Sequence, residues 1–202
     1  MIAATGVYTR HLAENEPHIG TSCALCKTRG LSGTGWTMTH YADAAQLRST
    51  LVRSLYDWWV ANRGEEIPDR SAFEPAQMKA ALPYLLISDI EREPFRVRYR
   101  LVGTKVVEAT GIDFTGRYLD ELVPGDPDEP WMQDYRQSFD TRTPVIGAST
   151  VYMKSGASFF YEFGIFPLRN GGAEIAQFIG VEDYFGFSLA DIGSEPWQVH
   201  HR

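Results

Sequence analysis

Apolar and basic residues alternate strictly in the stretch "FRVRYRLVGT", which begins at residue 95. The apolar side chains are Phe95, Val97, Tyr99 and Leu101, and the basic ones are Arg96, Arg98 and Arg100. A period of two predicts a β-strand with one apolar face and one solvated face. An apolar run at residues 84–91 precedes it after the short connection "REP", so the two segments are predicted to form a hairpin.

Apolar residues recur at three- and four-residue steps between Asp43, a good N-cap, and Gly64, and this spacing predicts an amphipathic helix. The apolar stripe consists of Leu47, Leu51, Leu55, Trp58 and Trp59. Such a stripe must be buried, either in the core of its own domain or against a second copy of the chain. The sequence leaves both alternatives open, and the candidate interface residues are Leu51, Leu55, Trp58 and Trp59.

Strand signals dominate the C-terminal part of the chain. Three segments carry them, at residues 144–155, 158–170 and 174–185. The connections "SGA" and "NGG" between these segments suit tight hairpin turns. A doubly wound parallel sheet would need a helix between each pair of strands, so the pattern favours an antiparallel α+β domain. The middle strand carries aromatic residues on both faces, and both faces are therefore expected to be covered.

The helix and strand signals divide the chain into four parts. Residues 1–42 are rich in Gly, Ser and Thr without periodicity, and we expect a poorly ordered extension there. Residues 43–66 form the amphipathic helix, with a shorter helix predicted at about residues 75–82. The α+β domain is expected to occupy residues 67–187, and a C-terminal tail residues 188–202.

Composition and charge narrow the classes of function. The chain has 202 residues and a formal net charge of −7, which argues against binding to a nucleic-acid backbone, because that requires clustered positive charge. Hydrophobic residues make up 44% of the chain, enough for a well-filled core. No window resembles a signal peptide or approaches the roughly 18 apolar residues of a membrane span, so we expect a cytoplasmic protein.

Two short segments carry weak metal-binding signals. Cys23 and Cys26 form an isolated CxxC, and only His18 and His40 lie near enough in sequence to complete a zinc site. Their spacing matches no zinc module, so incidental thiols are favoured over a zinc or redox site. The acidic loop "PGDPDEP" at residues 124–130 lacks the closing glutamate of a calcium loop and is typical of a solvated turn. No metal site is predicted.

Several ordered blocks together resemble a bacterial family of stand-alone PAS-like domains. The blocks are "LYDWWVANRGEEIPDRSAFEP", "LPYLLISDIE", "FRVRYRLVGT" and "GIDFTGRYLDEL". The resemblance covers roughly residues 50–185. It implies a five-stranded antiparallel sheet with helices packed on one face, and a cavity between them that holds a small molecule in many relatives. It also implies a sensor or an interaction module without catalysis.

The resemblance turns the alternating strand into a candidate cavity wall. Burying three unpaired guanidinium groups would be very costly, so the apolar face is expected to point inward and the arginines outward, towards Asp89 and Glu91. The predicted cavity-lining residues are Phe95, Val97, Tyr99 and Leu101, together with Tyr161 and Phe163 of the aromatic strand. Arg100 is the arginine best placed to reach a carboxylate ligand in the cavity.

Histidine and cysteine positions argue against particular cofactors. The histidines are His11, His18, His40, His200 and His201, so the PAS-like part lacks one, and a His-ligated haem is disfavoured. The same part contains no cysteine, which disfavours flavin adducts and other Cys-linked chromophores. No cofactor is predicted, although non-covalent flavin remains open.

Catalytic signals are weak in the PAS-like part. No serine lies in a Gly-x-Ser-x-Gly turn, and no histidine base accompanies one. Glu162 and Glu182 could in principle act as acid and base, but we expect them to pair with arginines across strands.

The sequence therefore predicts a non-catalytic sensory or regulatory module that binds a small organic ligand, a protein partner or both. The module is expected to form a homodimer and to act through a separate signalling protein. One alternative is an enzyme on a related α+β cup that uses carboxylates and Tyr99 or Tyr161. The other is a purely structural interaction module whose cavity is filled by its own side chains.

Overall fold

The computed structural model describes residues 7–10, 35–122, 130–152 and 158–188. Seven strands are present in these ranges: β1 Val7–Arg10, β2 Gly35–His40, β3 Leu85–Arg92, β4 Phe95–Val102, β5 Val145–Tyr152, β6 Ser158–Arg169 and β7 Ile175–Asp183. Four α-helices accompany them: α1 Thr50–Asn62, α2 Thr104–Thr110, α3 Leu119–Leu122 and α4 Pro130–Thr141. The short helix predicted at residues 75–82 is replaced by two 3-10 turns, Pro75–Met78 and Leu82–Tyr84.

All seven strands belong to one antiparallel sheet in the order β1-β2-β5-β6-β7-β3-β4. The last five strands form the predicted five-stranded sheet, and the α+β class is confirmed. Strands β1 and β2 extend this sheet beyond β5. The expectation of a poorly ordered extension at residues 1–42 is therefore wrong for these two strands, because β2 satisfies its backbone groups by pairing with the edge of β5.

Helix α1 begins later than the sequence pattern predicts. Asp43 caps a separate 3-10 turn at Ala44–Gln46 and forms a capping box with Gln46. The chain is then extended at Leu47, and Ser49 caps α1 by accepting a hydrogen bond from the Val52 amide. The predicted helix at residues 43–66 is thus a turn, a short extended segment and a 13-residue helix.

Helix α1 covers one face of the sheet, which we call the outer face. Leu55, Trp58 and Trp59 are buried, and the indole Nε1 of Trp59 donates to the Pro167 carbonyl at 2.9 Å. Leu51 is half-buried against the same core. The apolar stripe therefore packs within its own domain, which was the intramolecular alternative, and three of the four candidate interface residues are already covered.

Helix α4 packs on the opposite face, which we call the inner face. The Tyr135 ring meets the Phe178 ring of β7 edge-on at 5.0 Å, and the Phe139 ring meets Phe95 of β4 at 5.3 Å. The sheet is thus covered on both faces, as the aromatic residues on both sides of β6 predicted.

A β-bulge interrupts the alternation along β4. Ser88 pairs with Tyr99 but Ile87 pairs with Leu101, so Arg100 is the extra residue on β4. An extra residue moves every following side chain to the opposite face. Leu101 is consequently 43% exposed instead of lining the inner face, and Val102 is half-buried.

Candidate ligand-binding site

Strand pairing aligns a row of residues across the inner face. His40 pairs with Gly147, Gly147 with Phe163, and Phe163 with Glu182, so one row runs across β2, β5, β6 and β7. A methyl group on Gly147 would lie 2.4 Å from the Thr39 carbonyl oxygen and 3.0 Å from the Phe163 ring. The missing side chain of this glycine thus allows the close packing of β2 and Phe163.

Glu182 places a carboxyl group in this apolar environment. Burial raises its pKa from the ordinary 4.5 to about 7, and the hydrogen bond that the Tyr184 hydroxyl donates to Oε2 opposes that rise. The side chain is nevertheless half-buried, so part of it still faces accessible space. Glu182 is therefore close to half-ionised near neutral pH and has a carboxylate oxygen available for a further partner.

Four tyrosines surround Glu182 on the inner face, and with it they form what we call the inner cluster: Tyr99, Tyr135, Tyr161, Glu182 and Tyr184. Burial is the largest cause that raises the pKa of each tyrosine, and the charge of Glu182 raises all four pKa values further. All four hydroxyls consequently stay protonated at physiological pH and can donate or accept hydrogen bonds.

Asp134 and His40 lie beside the inner cluster. His40 Nε2 is 2.7 Å from Asp134 Oδ1, and burial raises the pKa of Asp134 although His40 opposes the rise. The Asp134 side chain is 3% exposed, and its Oδ2 has no hydrogen-bond partner among the described residues. The buried Ser149 hydroxyl lies opposite Tyr161 in the sheet and interacts with the Tyr161 hydroxyl.

His40 reaches the inner face from outside the PAS-like part, which contains no histidine at residues 67–187, as predicted. Strand β2 brings it onto the inner face, where its ring meets the Phe163 ring edge-on at 6.3 Å. The argument against a His-ligated haem considered only the PAS-like part and did not include a histidine contributed by β2. Sequence reasoning missed this residue because "GWTMTH" carries no strong strand signal of its own.

Aromatic rings line the Tyr161 and Tyr184 end of the cluster. These two rings stack with 5.1 Å between centroids, and Phe159 lies 6.2 and 6.1 Å from them. The Trp131 indole donates to the Tyr161 hydroxyl at 3.2 Å. Trp131 and Phe159 are half-buried, so this end combines ring surfaces with access to solvent.

The structure places the predicted cavity-lining residues in two different environments. Val97, Tyr99, Tyr161 and Phe163 are buried, and Phe95 is half-buried against α4. Leu101 and Arg100 are exposed to solvent at the β-bulge and do not line the inner face. Tyr99 and Tyr161 join the inner cluster, while Tyr135, Glu182 and Tyr184 complete it without having been among the predicted lining residues.

The arginines of β4 point outward. Arg100 lies 3.4 Å from Asp89, its predicted partner on β3. Arg96 instead makes a two-point contact with Asp120, with both distances 2.9 Å, and its guanidinium lies 3.6 Å from the Tyr118 ring centroid. The Arg100 side chain is 60% exposed and is paired with Asp89. It is therefore not positioned to reach a ligand on the inner face.

Glu162 lies on the outer face and is fully buried. Its carboxylate accepts hydrogen bonds from the amides of Arg48 and Ser49, at 2.9 and 2.7 Å, and from the Tyr41 hydroxyl at 3.1 Å. Asp183, directly opposite in the sheet, accepts from the Ser49 hydroxyl at 2.7 Å. The expected cross-strand arginine pair is therefore wrong for Glu162, which instead anchors the segment that precedes α1.

The metal-binding signals fall mostly outside the described residues. This applies to His18, Cys23 and Cys26 and to the acidic residues of 124–129. Within the described ranges, no group of three His, Cys, Asp or Glu side chains is arranged to hold a metal ion. In the same part of the chain, no helix is both long and apolar enough to cross a membrane.

A family model described as PAS domain matches residues 47–182, which is most of the chain. The chain belongs to the PAS domain family. This match includes α1, which sequence analysis had separated from the domain. The PAS fold supports a sensory module of signal transduction, and PAS domains are generally not catalytic. A search of curated proteins found no match.

Solved structures of light-oxygen-voltage domains are similar to this PAS domain. The light-state structure of the blue-light photoreceptor Aureochrome1 LOV is 16% identical, with 58% of this chain and 91% of that chain covered and a TM-score of 0.38. A light-oxygen-voltage domain studied with a flavin analogue is 21% identical, with coverages of 58% and 89% and a TM-score of 0.40. An RNA-binding light-oxygen-voltage receptor is 16% identical, with coverages of 79% and 40% and a TM-score of 0.42.

Proposed function

We propose that this PAS domain is a non-catalytic sensory module that binds a small organic ligand at the inner cluster and acts through a separate signalling protein. The observation that carries the proposal is the half-buried Glu182, with its raised pKa, among buried tyrosines on the inner face. We further propose that the module is cytoplasmic and homodimeric.

The energetic cost of burying polar groups on the inner face supports a binding role. An unpaired buried polar group typically costs about 1–3 kcal/mol, and Asp134 carries one among the described residues, at Oδ2. Desolvation of Glu182 adds a further cost. A domain that only needed a filled core would be more stable with apolar residues at these positions, so a ligand that satisfies these groups accounts for their presence.

The geometry favours recognition over chemistry. The Glu182–Tyr184 hydrogen bond and the neutral tyrosine hydroxyls offer donors and acceptors in fixed positions, as a binding pocket requires. The cysteines of the chain are Cys23 and Cys26, both far from this cluster in sequence, and the proposal includes no thiol-linked chromophore. Arg100 is not part of the proposed site.

Native mass spectrometry of the purified protein, compared with its denatured mass, tests the proposal. We expect an excess mass that is lost on denaturation, and the same spectrum gives the number of subunits. Ser149→Ala removes a buried hydroxyl beside Tyr161 of the inner cluster and should lower the occupancy of the ligand. The matched control is Ser54→Ala, which changes an exposed serine of α1 and should leave the occupancy unchanged.

Two results together would contradict a ligand-binding role. They are a clean apo mass and the absence of any thermal stabilisation by a panel of small metabolites. In that case the alternative of a purely structural interaction module would be the better account of the fold.

A further inference from the structure

The charged side chains that are buried among the described residues are all acidic: Asp134, Glu162 and Asp183. Asp134 is buried beside the inner cluster, Glu182 is part of it, and no lysine or arginine among the described residues is buried. No basic side chain contributes to the pKa of Glu182. His40 lies in the same row of the sheet as Glu182, and its Nε2 contacts Asp134. A ligand at this position therefore meets carboxyl groups and no lysine or arginine among the described residues that is buried with them.

The hydrogen-bonding capacity that remains is mainly acceptor capacity. Tyr184 donates to Oε2 of Glu182, and no other described residue is hydrogen-bonded to that carboxyl group. Oδ2 of Asp134 is an acceptor without a partner in the described part of the chain. A ligand that satisfies these atoms must bring N–H or O–H donors or a positive charge.

Aromatic faces accompany the acceptors. The stacked rings of Tyr161 and Tyr184 lie next to Glu182, with Phe159 about 6 Å away and the Trp131 indole bonded to Tyr161. A ring face carries partial negative charge and attracts a cation within about 6 Å of its centroid, with Trp and Tyr the strongest among aromatic side chains. Aromatic rings around a carboxylate are a common means of binding organic ammonium groups.

We propose that the inner cluster takes an organic cation, with an amine or quaternary ammonium group held by Glu182 against the rings of Tyr161 and Tyr184. This inference rests on the proposed ligand-binding function and names the class of the ligand. An anionic ligand would be repelled by Glu182 and Asp134. A neutral ligand of the same shape would gain the ring contacts but not the attraction between opposite charges.

The experiment compares cations with neutral molecules of the same shape. The full chain, freed of any co-purified molecule, is titrated by calorimetry with choline and with phenethylamine. The neutral isosteres are 3,3-dimethylbutan-1-ol and 2-phenylethanol. We expect at least one cation to bind, and its neutral isostere to bind about tenfold more weakly, since a charge–ring contact and a carboxylate partner together contribute at least about 1.4 kcal/mol.

Two variants test whether the preference for the cation over its neutral isostere depends on Glu182. Glu182→Gln keeps the size and the acceptor for Tyr184 but removes the charge, and should abolish the preference for the cation. Glu174→Gln removes an exposed carboxylate outside the cluster and should leave the preference unchanged. If Glu182→Gln fails to fold, the affinities of the unchanged chain for each cation and for its neutral isostere still test the inference.

Three outcomes overturn the inference. They are equal or tighter binding of the neutral isostere, a cation preference that survives in Glu182→Gln, and no binding of either cation. A neutral or anionic molecule found by native mass spectrometry would reject the cation but keep the ligand-binding function. A clean apo mass without binding of any probe or metabolite would reject both.

Discussion

Replacing Glu182 by glutamine should stabilise the protein at alkaline pH and have little effect at acidic pH. The pKa of Glu182 is raised from 4.5 to about 7 on folding, chiefly by burial. Between these two values the folded protein binds more protons at this site than the unfolded chain does. The free energy of unfolding therefore falls as the pH rises from 4.5 to 7, and the loss is complete above pH 7.

The size of the effect follows from the pKa shift. One pKa unit corresponds to about 1.4 kcal/mol, so a shift from 4.5 to about 7 represents up to about 3 kcal/mol of unfolding free energy. Glutamine cannot ionise and retains an acceptor for Tyr184. The advantage of Glu182→Gln over the unchanged protein should therefore grow by about 2–3 kcal/mol between pH 5 and pH 8.

Urea denaturation of both proteins at pH 5 and pH 8 measures this difference directly. Asp134, His40 and the tyrosines of the cluster also face Glu182, but they are present in both proteins and their own titration largely cancels. Glu174→Gln, which removes an exposed carboxylate, should show no comparable change with pH. A stability difference for Glu182→Gln that is the same at both pH values would refute the argument that Glu182 is desolvated.

Three further substitutions test the packing. Gly147→Ala places a methyl group against the Thr39 carbonyl and should lower the free energy of unfolding by about 1–3 kcal/mol, measured by urea denaturation. Hydrogen exchange in β2 should become faster, and unchanged exchange would contradict the prediction. Glu162→Ala removes an acceptor of three hydrogen bonds and should lower stability by about 3 kcal/mol, well beyond the loss in Glu162→Gln. Trp58→Glu puts a charge in the core and should abolish cooperative thermal melting, whereas a stable folded monomer would indicate an interface role.

Local patterns predicted the elements of the sheet well. The alternation at residues 95–101 and the hairpin turns define strands whose bounds agree with the structure to within a few residues. The bulge at Arg100 was not predictable in the same way, because it depends on the register with β3 and not on the β4 sequence alone. As a result, the side on which Leu101 lies was predicted wrongly.

The candidate site was only partly predictable, because its members meet through long-range pairing. Tyr99 and Tyr161 follow from strand periodicity. His40 reaches the inner face only because β2 pairs with β5, more than one hundred residues later in the chain. Glu162 appeared equivalent to Glu182 in sequence, yet the pairing of β6 with β7 places the two carboxylates on opposite faces of the sheet.

The addition of β2 to the sheet also decides where the gene can be cut for expression. A fragment that began at residue 47, where the family match starts, would lose β2 and leave β5 as an unpaired edge that is prone to aggregation. It would also lose His40 beside Asp134 and Tyr41 on Glu162. A fragment that behaves like the native domain should therefore begin no later than Gly35.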